Sequence, residues 1–160
     1  MCMASQDYSV EICRRPYTPE IAAGIGRLMP QLDGSFSDTP ITPEFYQEVA
    51  DSDYHDRLIA VRNEIQVIGA ATLTIVLGDG MGRRGQLEDF VVDEAERGTP
   101  LARDMVHAMY EWADAKGVPQ GKVYWQTETY RPAAIGFYNK VATRLEETIT
   151  YEGKLREVSE

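Results

Sequence analysis

The sequence predicts an α/β protein with a mixed, twisted sheet and helices on both faces. Three observations indicate this. Residues 86–117 have the pattern of a buried strand, a short loop and an amphipathic helix. Residues 122–127 form a further strand pattern, which would lie parallel to the first through a right-handed crossover. Upstream, apolar segments are separated by a two-residue turn and a glycine-rich turn, which predicts antiparallel hairpins.

The chain opens with a predicted strand and two predicted helices. Residues 8–14 alternate between apolar and polar side chains, which favours a strand. A helix should begin at Thr18 and end before Pro30, because the residue that precedes a proline disfavours helical backbone. Small polar residues predict a loop over residues 31–41, and a second helix should begin at Thr42.

Two hairpins follow. Residues 57–62 and 65–77 are predicted strands joined by a two-residue turn at residues 63–64, and Gly69 is expected to mark a bulge. The glycine-rich residues 78–82 could be mistaken for a phosphate loop. They join two antiparallel strands and precede no helix, so they predict a turn.

The central strand, loop and helix together predict an anion site. Residues 87–92 are largely apolar, as in a strand that is covered on both faces. After a turn through residues 93–98, Thr99 can cap a helix, Pro100 fits its first turn, and the pair at 116–117 closes it. Free backbone N–H groups and the helix dipole point the same way at such a helix start, which suits a bound anion.

The last third contains a predicted helix from Arg131 or Pro132 to Val141 and a final strand over residues 144–155. No repeat, linker or change of composition divides the chain. Residues 1–160 are therefore predicted to form one domain, which suits a chain of this length.

Composition and charge exclude several classes of function. The formal net charge of −10 argues against nucleic acid as a partner and would favour a cationic acceptor, although such charge often serves only solubility. Cys2 and Cys13 have no disulfide or metal spacing, and His55 and His107 have no serine or cysteine partner at a recognisable spacing. No signal core or membrane span is visible, so we expect a cytoplasmic protein without a membrane partner or a metal.

Two segments give the chain a resemblance to a known family. Residues 87–93, Leu-Glu-Asp-Phe-Val-Val-Asp, followed by Glu-Arg-Gly at 96–98, resemble the central strand and loop of the GCN5-related N-acetyltransferases (GNAT). Residues 133–140, Ala-Ala-Ile-Gly-Phe-Tyr-Asn-Lys, are similar to the family's A-x-x-F-Y-x-K helix. With the surrounding strand pairs, the resemblance covers most of the chain. It implies the GNAT fold, with a central mixed sheet of about six to seven strands.

The resemblance implies acetyl-coenzyme A as a cosubstrate, because the family loop R/Q-x-x-G-x-G/A grips its pyrophosphate. In the family, the two central parallel strands part to admit the thioester, and a backbone N–H polarises the acetyl oxygen; here that group would lie near Val91 or Val92. The implied contacts at the loop and the helix start are the backbone of Arg97, Gly98, Thr99, Leu101 and Ala102, with a charge from Arg103.

Catalytic roles also follow from the resemblance. Tyr138 would protonate the departing thiolate; alternatively, it only packs its helix on the sheet. Glu88 is the first candidate for the base that takes a proton from the amine, and Glu128 is the second. Strand alternation should send Glu88 and Asp89 to opposite faces, so that one of them reaches the acceptor. As alternatives, Glu88 is a strand-end carboxylate that pairs with Arg83 or Arg84, and Glu128 is a solvated or helix-start carboxylate.

One departure from the family pattern supports a second interpretation. Pro100 stands where the second key glycine of the loop belongs; it has no N–H, and its ring crowds the phosphate position. The prediction is an enzyme that acetylates a small amine or amino sugar by direct transfer in a ternary complex, with the acceptor between the 31–41 loop, the glycine turn and the strand ends. The alternative is a catalytically weak or inactive binding or assembly module. The acceptor's identity and a homodimer stay open.

Overall fold

The computed structural model describes residues 7–13, 18–38 and 41–146. Contacts divide the chain into two compact units, Met1–Gln126 and Thr127–Glu160. The prediction of one domain over residues 1–160 stays a prediction. The helices and strands are β1 (Tyr8–Ile12), α1 (Pro19–Leu32), α2 (Pro43–Ala50), β2 (His55–Arg62), β3 (Gln66–Gly78), β4 (Gly82–Val92), α3 (Leu101–Ala115), β5 (Val123–Tyr124) and α4 (Pro132–Val141), with 3-10 turns at Glu94–Glu96 and Pro119–Gly121.

The strands of the first unit form one mixed sheet in the order β1-β2-β3-β4-β5. The first four strands pair antiparallel, whereas β4 and β5 pair parallel across α3. The predicted mixed α/β sheet is confirmed. It has five strands among the described residues, fewer than the six to seven expected. The strand predicted over residues 122–127 is limited to Val123–Tyr124.

Helices cover both faces of this sheet, as predicted. On one face, buried side chains of α1, α2 and three strands form a core: Ile21, Ile25, Leu28, Tyr46, Ile59, Val61, Val67, Ala70 and Val91. Helix α3 lies on the opposite face, where a Cβ on Gly69 would stand 2.6 Å from Met105 Sδ and 3.3 Å from Ala60 Cβ. Each leucine or isoleucine buried in this way contributes about 1.5–3 kcal/mol. The sheet is therefore held from two sides.

The starts of the first two helices are where the threonine–proline pairs predict them. The side chains of Thr18 and Thr42 accept hydrogen bonds from the backbone N–H groups of Ile21 and Phe45, at 3.3 and 3.2 Å. These threonines satisfy donors that a helix start leaves without partners.

Helix α1 does not end before Pro30, so that prediction is wrong. It continues to Leu32, and the N–H of Asp33 donates to the Met29 carbonyl at 3.1 Å. Pro30 removes one helical donor within the last turn. Leu28, in the same turn, is completely buried. Packing of this face on the sheet outweighs the loss of that one hydrogen bond.

The turns between strands confirm the predicted hairpins. Asn63 and Glu64 both have positive φ, 49° and 65°, as a tight two-residue hairpin turn requires. The glycine-rich residues 78–82 join β3 to β4. The register of β2 on β3 shifts where the partner changes from Gly69 to Val67, which confirms the bulge predicted at Gly69.

The second unit contains α4, which begins at Pro132 after Arg131, as expected. Residues 144–146 are not in a strand, and the remainder of the strand predicted over 144–155 lies outside the described residues. Across the described ranges no helix is long and apolar enough to cross a membrane. The same ranges hold no group of three His, Cys, Asp or Glu side chains arranged to hold a metal ion.

Candidate active site

The ladder between the two parallel strands ends early. Strands β4 and β5 pair only through Gly85–Val123 and Gln86–Tyr124. Beyond Gln86, the edge of β4 that faces away from β3 has no strand partner among the described residues. The family resemblance implies this parting of the central strands, and the short ladder agrees with it. An unpaired strand edge offers backbone N–H and C=O groups to a ligand.

Alternation along β4 distinguishes the two backbone groups expected to face this edge. The N–H of Asp93 donates to the Ile68 carbonyl of β3 at 2.9 Å. Successive N–H groups of a strand point to opposite edges. The N–H of Val92 therefore points to the open edge, whereas that of Val91 points towards β3. Val92 is the better placed of the two.

A second bulge, which the sequence analysis did not predict, lies in β4. Thr72 pairs with Glu88 and Ala70 with Val91, so two residues of β4 stand opposite the single Ala71 of β3. Asp89 adopts a left-handed φ of 51° at this bulge. For a residue other than glycine this conformation costs about 1–3 kcal/mol and is concentrated at functional sites.

The bulge overturns the expectation that only one of Glu88 and Asp89 reaches the acceptor region. The extra residue breaks the two-residue alternation of the strand. Both residues consequently line the same cavity, and both are exposed. Glu88 Oε1 accepts a hydrogen bond from Gln86 Nε2 at 2.5 Å, rather than the ion pair with an arginine that was the alternative.

The cavity has a volume of about 470 Å³ and lies on the α1–α2 side of the sheet. Its wall combines apolar side chains with acidic, basic and hydroxyl groups: Ile25, Met29, Ile41, Phe45, Glu48, Val49, Ser52, His55, Arg57, Leu58, Ile59, Ala70, Ala71, Thr72, Thr74, Glu88 and Asp89. Ile41 belongs to the loop that was expected to border the acceptor. No residue of the described glycine turn lines the cavity. A cavity of this size suits a small molecule.

Arg57, the basic residue of this wall, was not predicted from the sequence. It is only 9% exposed, and its Cζ lies 5.7 and 5.5 Å from the ring centroids of Phe45 and Tyr46. Burial lowers the pKa of Arg57, and the nearby Tyr46, Cys13 and Asp89 oppose that shift. The available signal was an arginine at the start of an apolar strand run, where alternation directs it inward.

His55 has a serine partner, contrary to the expectation. Its Nδ1 lies 2.8 Å from Ser52 Oγ, across the junction between α2 and β2, and both residues line the cavity. Ser52 lies in the turn after α2, and His55 is the first residue of β2. His107 is exposed on α3.

Asp93 fixes the loop that follows β4. It accepts hydrogen bonds from Arg27 Nη1 at 2.7 Å and from the Ala95 N–H at 3.2 Å. Arg27 Nη2 donates in turn to the Val67 carbonyl at 2.9 Å. Burial by itself would raise the pKa of Asp93, but the hydrogen bonds from Arg27 and Ala95 hold it below its usual value. The ionised carboxylate thus ties the loop to α1 and β3.

The predicted pyrophosphate contacts lie together at the start of α3. Gly98 has a φ of +84°, and Gly98, Thr99 and Arg103 are exposed. Thr99 Oγ1 donates to the Glu96 carbonyl at 2.7 Å and accepts the N–H of Leu101 at 3.3 Å. The helix begins at Leu101 with Pro100, rather than the expected Thr99, at its N-cap. The Leu101 side chain is completely buried, which leaves only backbone for a ligand.

Arg97 and Pro100 form hydrogen bonds within the protein at this helix start. Arg97 Nη2 donates to the Gln31 carbonyl at 3.3 Å, so its guanidinium is directed to α1. The carbonyl of Pro100 accepts the N–H groups of Arg103 and Asp104 at 2.9 and 3.1 Å. Ala102 follows in the first turn and is half-buried. The predicted residues are therefore brought together, with Pro100 among them.

The second unit carries the remaining candidates. Tyr138 is half-buried in α4, and burial raises the pKa of its phenol, with Glu128 raising it further and Arg131 lowering it. The phenol therefore stays protonated at neutral pH, as an acid must. Glu128 Oε2 forms an ion pair with Arg131 Nε at 2.9 Å, immediately before α4. This pairing fits the alternative of a helix-start carboxylate.

A parted parallel strand pair beside a helix start is the arrangement of an acetyltransferase fold, and comparison with known proteins agrees. The sequence model described as "Acetyltransferase (GNAT) family" matches residues 26–142. The chain therefore belongs to the acetyltransferase (GNAT) family and is an N-acetyltransferase by class. No curated protein matches the sequence significantly.

Solved structures show the same fold. An acetyltransferase of Trypanosoma brucei is 19% identical, with a TM-score of 0.70, covering 92% of this chain and 100% of its own. An aminoglycoside acetyltransferase from an uncultured soil metagenomic sample is 16% identical, with a TM-score of 0.75, covering 92% and 98%. Another from such a sample, in complex with sisomicin, is 14% identical, with a TM-score of 0.74, covering 92% and 95%. At these identities the likeness concerns the fold alone.

Proposed function

We propose that this N-acetyltransferase uses acetyl-coenzyme A to acetylate a small amine or amino sugar by direct transfer in a ternary complex. One observation carries the proposal: the β4–β5 ladder stops at Gln86, and α3 is the next α-helix after β4, reached through a loop that contains the 3-10 turn Glu94–Glu96. An open strand edge and a helix start at the same end of β4 suit a thioester that carries a diphosphate.

Residues at the start of α3 fit the cofactor. Gly98, Thr99 and Arg103 are exposed at the helix start, and helix N-terminal amides favour anions. We assign pyrophosphate binding to the backbone of Arg97, Gly98, Thr99, Leu101 and Ala102, with Arg103 adding positive charge. The N–H groups of Arg97, Thr99 and Leu101 would exchange their bonds to the Glu94 carbonyl, the Glu96 carbonyl and Thr99 Oγ1 for bonds to the phosphates. Bound acetyl-coenzyme A supplies the activated acetyl group. The N–H of Val92 points to the open edge and is the proposed donor to the acetyl oxygen.

The acceptor is proposed to occupy the cavity beside β4. Its amine must lose a proton before it can attack, and Glu88 and Asp89 both line that cavity. Glu88 stays the first candidate for the base, and Asp89 joins it because of the bulge. Glu128 is the weaker candidate, because its carboxylate is already paired with Arg131. The aminoglycoside acetyltransferases of similar fold make an amino sugar a reasonable acceptor to test.

Tyr138 is the proposed acid. Burial raises the pKa of its phenol, so it holds a proton that it can give to the departing thiolate. The role is proposed because Tyr138 occupies the tyrosine position of the family motif and because its phenol is protonated.

Calorimetric titration with acetyl-coenzyme A, followed by thiol release across a panel of amines and amino sugars, tests the proposal. We expect sub-millimolar cofactor binding and release of coenzyme A that depends on an amine. Absence of binding at millimolar cofactor would contradict the proposal and support the binding module, which Pro100 favours. A third outcome, thiol release from another acyl-coenzyme A but not from acetyl-coenzyme A, would reassign the acyl group.

A further inference from the structure

We infer that Arg57 binds a carboxylate of the acceptor, so that the acceptor is an amino carboxylic acid. The inference deepens the proposed function and rests on it for the role of the amine. The carboxylate site itself is argued from the residues of the cavity wall and does not depend on the proposed reaction. The carboxylate would accept hydrogen bonds from the guanidinium, while the amine lies towards the acidic residues of β4.

The first observation is a buried arginine whose Nε has no hydrogen-bond acceptor among the described residues. Arg57 is 9% exposed, and its Nε is buried without a hydrogen-bond acceptor anywhere in the described ranges. The rings of Phe45 and Tyr46 flank its guanidinium, but they accept no such bond. Buried polar groups are nearly always hydrogen-bonded, and a buried charge needs a partner. A ligand that enters the cavity can supply it.

The second observation is that the cavity wall carries both signs of charge. Glu48, Glu88 and Asp89 line it together with Arg57. The charge of Asp89 acts on Arg57, yet no ion pair joins them within the described part of the chain. An amine that also bears one carboxylate can satisfy both signs. A polycation would leave Arg57 without a partner, and a phosphate dianion would meet three carboxylates.

The chemistry of the guanidinium selects among anions. Its planar fork matches the two oxygens of a carboxylate. The remaining cavity wall is largely apolar, which suits an amino acid with an apolar side chain. The apolar side chains on the wall that belong to α1, α2 and the preceding loop are Ile25, Met29, Ile41, Phe45 and Val49.

Matched pairs of ligands test the inference without requiring turnover. The probes are the apolar amino acids leucine, methionine and phenylalanine, and the primary amide of each, which keeps the amine and removes the charge. Their affinities are measured by calorimetry, with and without coenzyme A. Because a charge-assisted hydrogen bond is replaced by a neutral contact, we expect each acid to bind about tenfold or more tightly than its amide. Equal affinities, tighter amides, or no binding of any acid would overturn the inference.

Variants separate a ligand contact from a packing role. Arg57→Gln should lose about tenfold or more in affinity for the acid and change affinity for the amide by less than about twofold. Arg57→Lys keeps the positive charge but lacks the planar guanidinium. Its affinity for the acid should therefore lie between those of the unaltered protein and Arg57→Gln. Arg83→Gln removes an exposed arginine of β4 outside the cavity wall and should leave both affinities unchanged. If Arg57→Gln does not fold, the acid-to-amide ratio of the unaltered protein still decides.

The inference and the proposed function can fail separately. If plain amines or amino sugars are acetylated as fast as amino acids, the acceptor does not need a carboxylate. The inference would then fail, and the proposed acetyltransferase function would stand. A preference for acids that disappears in Arg57→Gln, without any acetyl transfer, would keep the carboxylate site and remove the proposed reaction. If Arg57 only packs between Phe45 and Tyr46, Arg57→Gln should change the thermal stability of the protein but not its preference for acids over amides.

Discussion

Replacing Pro100 by glycine should tighten the binding of coenzyme A. Pro100 has φ −63° and ψ −15°, a helical conformation that any residue adopts, so the exchange preserves the backbone path. It adds one N–H to the first turn of α3, where donors have no helical partner. A hydrogen bond to a charged group contributes about 1.5–3 kcal/mol. The dissociation constant should therefore fall about 10- to 100-fold.

A second variant separates the missing donor from steric crowding. Pro100→Ala restores the N–H but keeps a Cβ, whereas Pro100→Gly restores the N–H and removes it. Calorimetry with coenzyme A should show both variants binding more tightly if the donor matters. If only Pro100→Gly binds coenzyme A more tightly, the effect comes from removal of steric crowding rather than from the added N–H. If neither variant binds more tightly than the unaltered protein, our account of the loop is refuted.

The same variants should carry a small cost in stability, which serves as an internal control. Loss of the proline ring gives the unfolded chain more freedom, so the free energy of unfolding should fall by about 0.4–1 kcal/mol. Urea unfolding without ligand measures it. A much larger loss would mean that the helix start has rearranged, and the affinity comparison would then have to rest on the milder variant.

Other predictions concern chemistry and packing. Glu88→Gln and Asp89→Asn, made singly, should reveal the base through a loss of about 10²–10⁴-fold in kcat in one of them; unaltered turnover in both would exclude this pair. Tyr138→Phe should lower kcat about tenfold or more without changing the melting temperature, and an unchanged rate would remove it from the acid role. Gly69→Ala places a Cβ 2.6 Å from a methionine sulfur and should cost about 1–3 kcal/mol in unfolding free energy; Gly80→Ala, with nothing within 4 Å, is its control.

Features that depend on a few neighbouring residues could be predicted. The threonine caps, the Asn63–Glu64 turn and the bulge at Gly69 follow from local chemistry, because each needs a particular side chain or backbone conformation at one place. Pro30 was misjudged because its local penalty is smaller than the packing of the turn around it. Propensity is a weak guide where tertiary packing opposes it.

The bulge at Asp89 could not be predicted in the same way. It is a property of the register between β3 and β4, and residues 87–92 contain no glycine to announce it. Strict alternation therefore placed Glu88 and Asp89 on opposite faces. With the bulge and the left-handed φ of Asp89, both residues instead line one cavity. Strain at a strand interior, where pairing should be regular, is consistent with a functional position.

Net charge illustrates why the acceptor could not be inferred from composition. A formal charge of −10 suggests a cationic ligand, yet that sum is distributed over the whole surface and is screened by salt within about 10 Å. Within the cavity, the buried Arg57 shares the wall with the exposed residues Glu48, Glu88 and Asp89, and Asp89 acts electrostatically on Arg57. Selectivity should follow the local arrangement. An acceptor that carries both an amine and a carboxylate would be favoured here even though the chain as a whole repels anions.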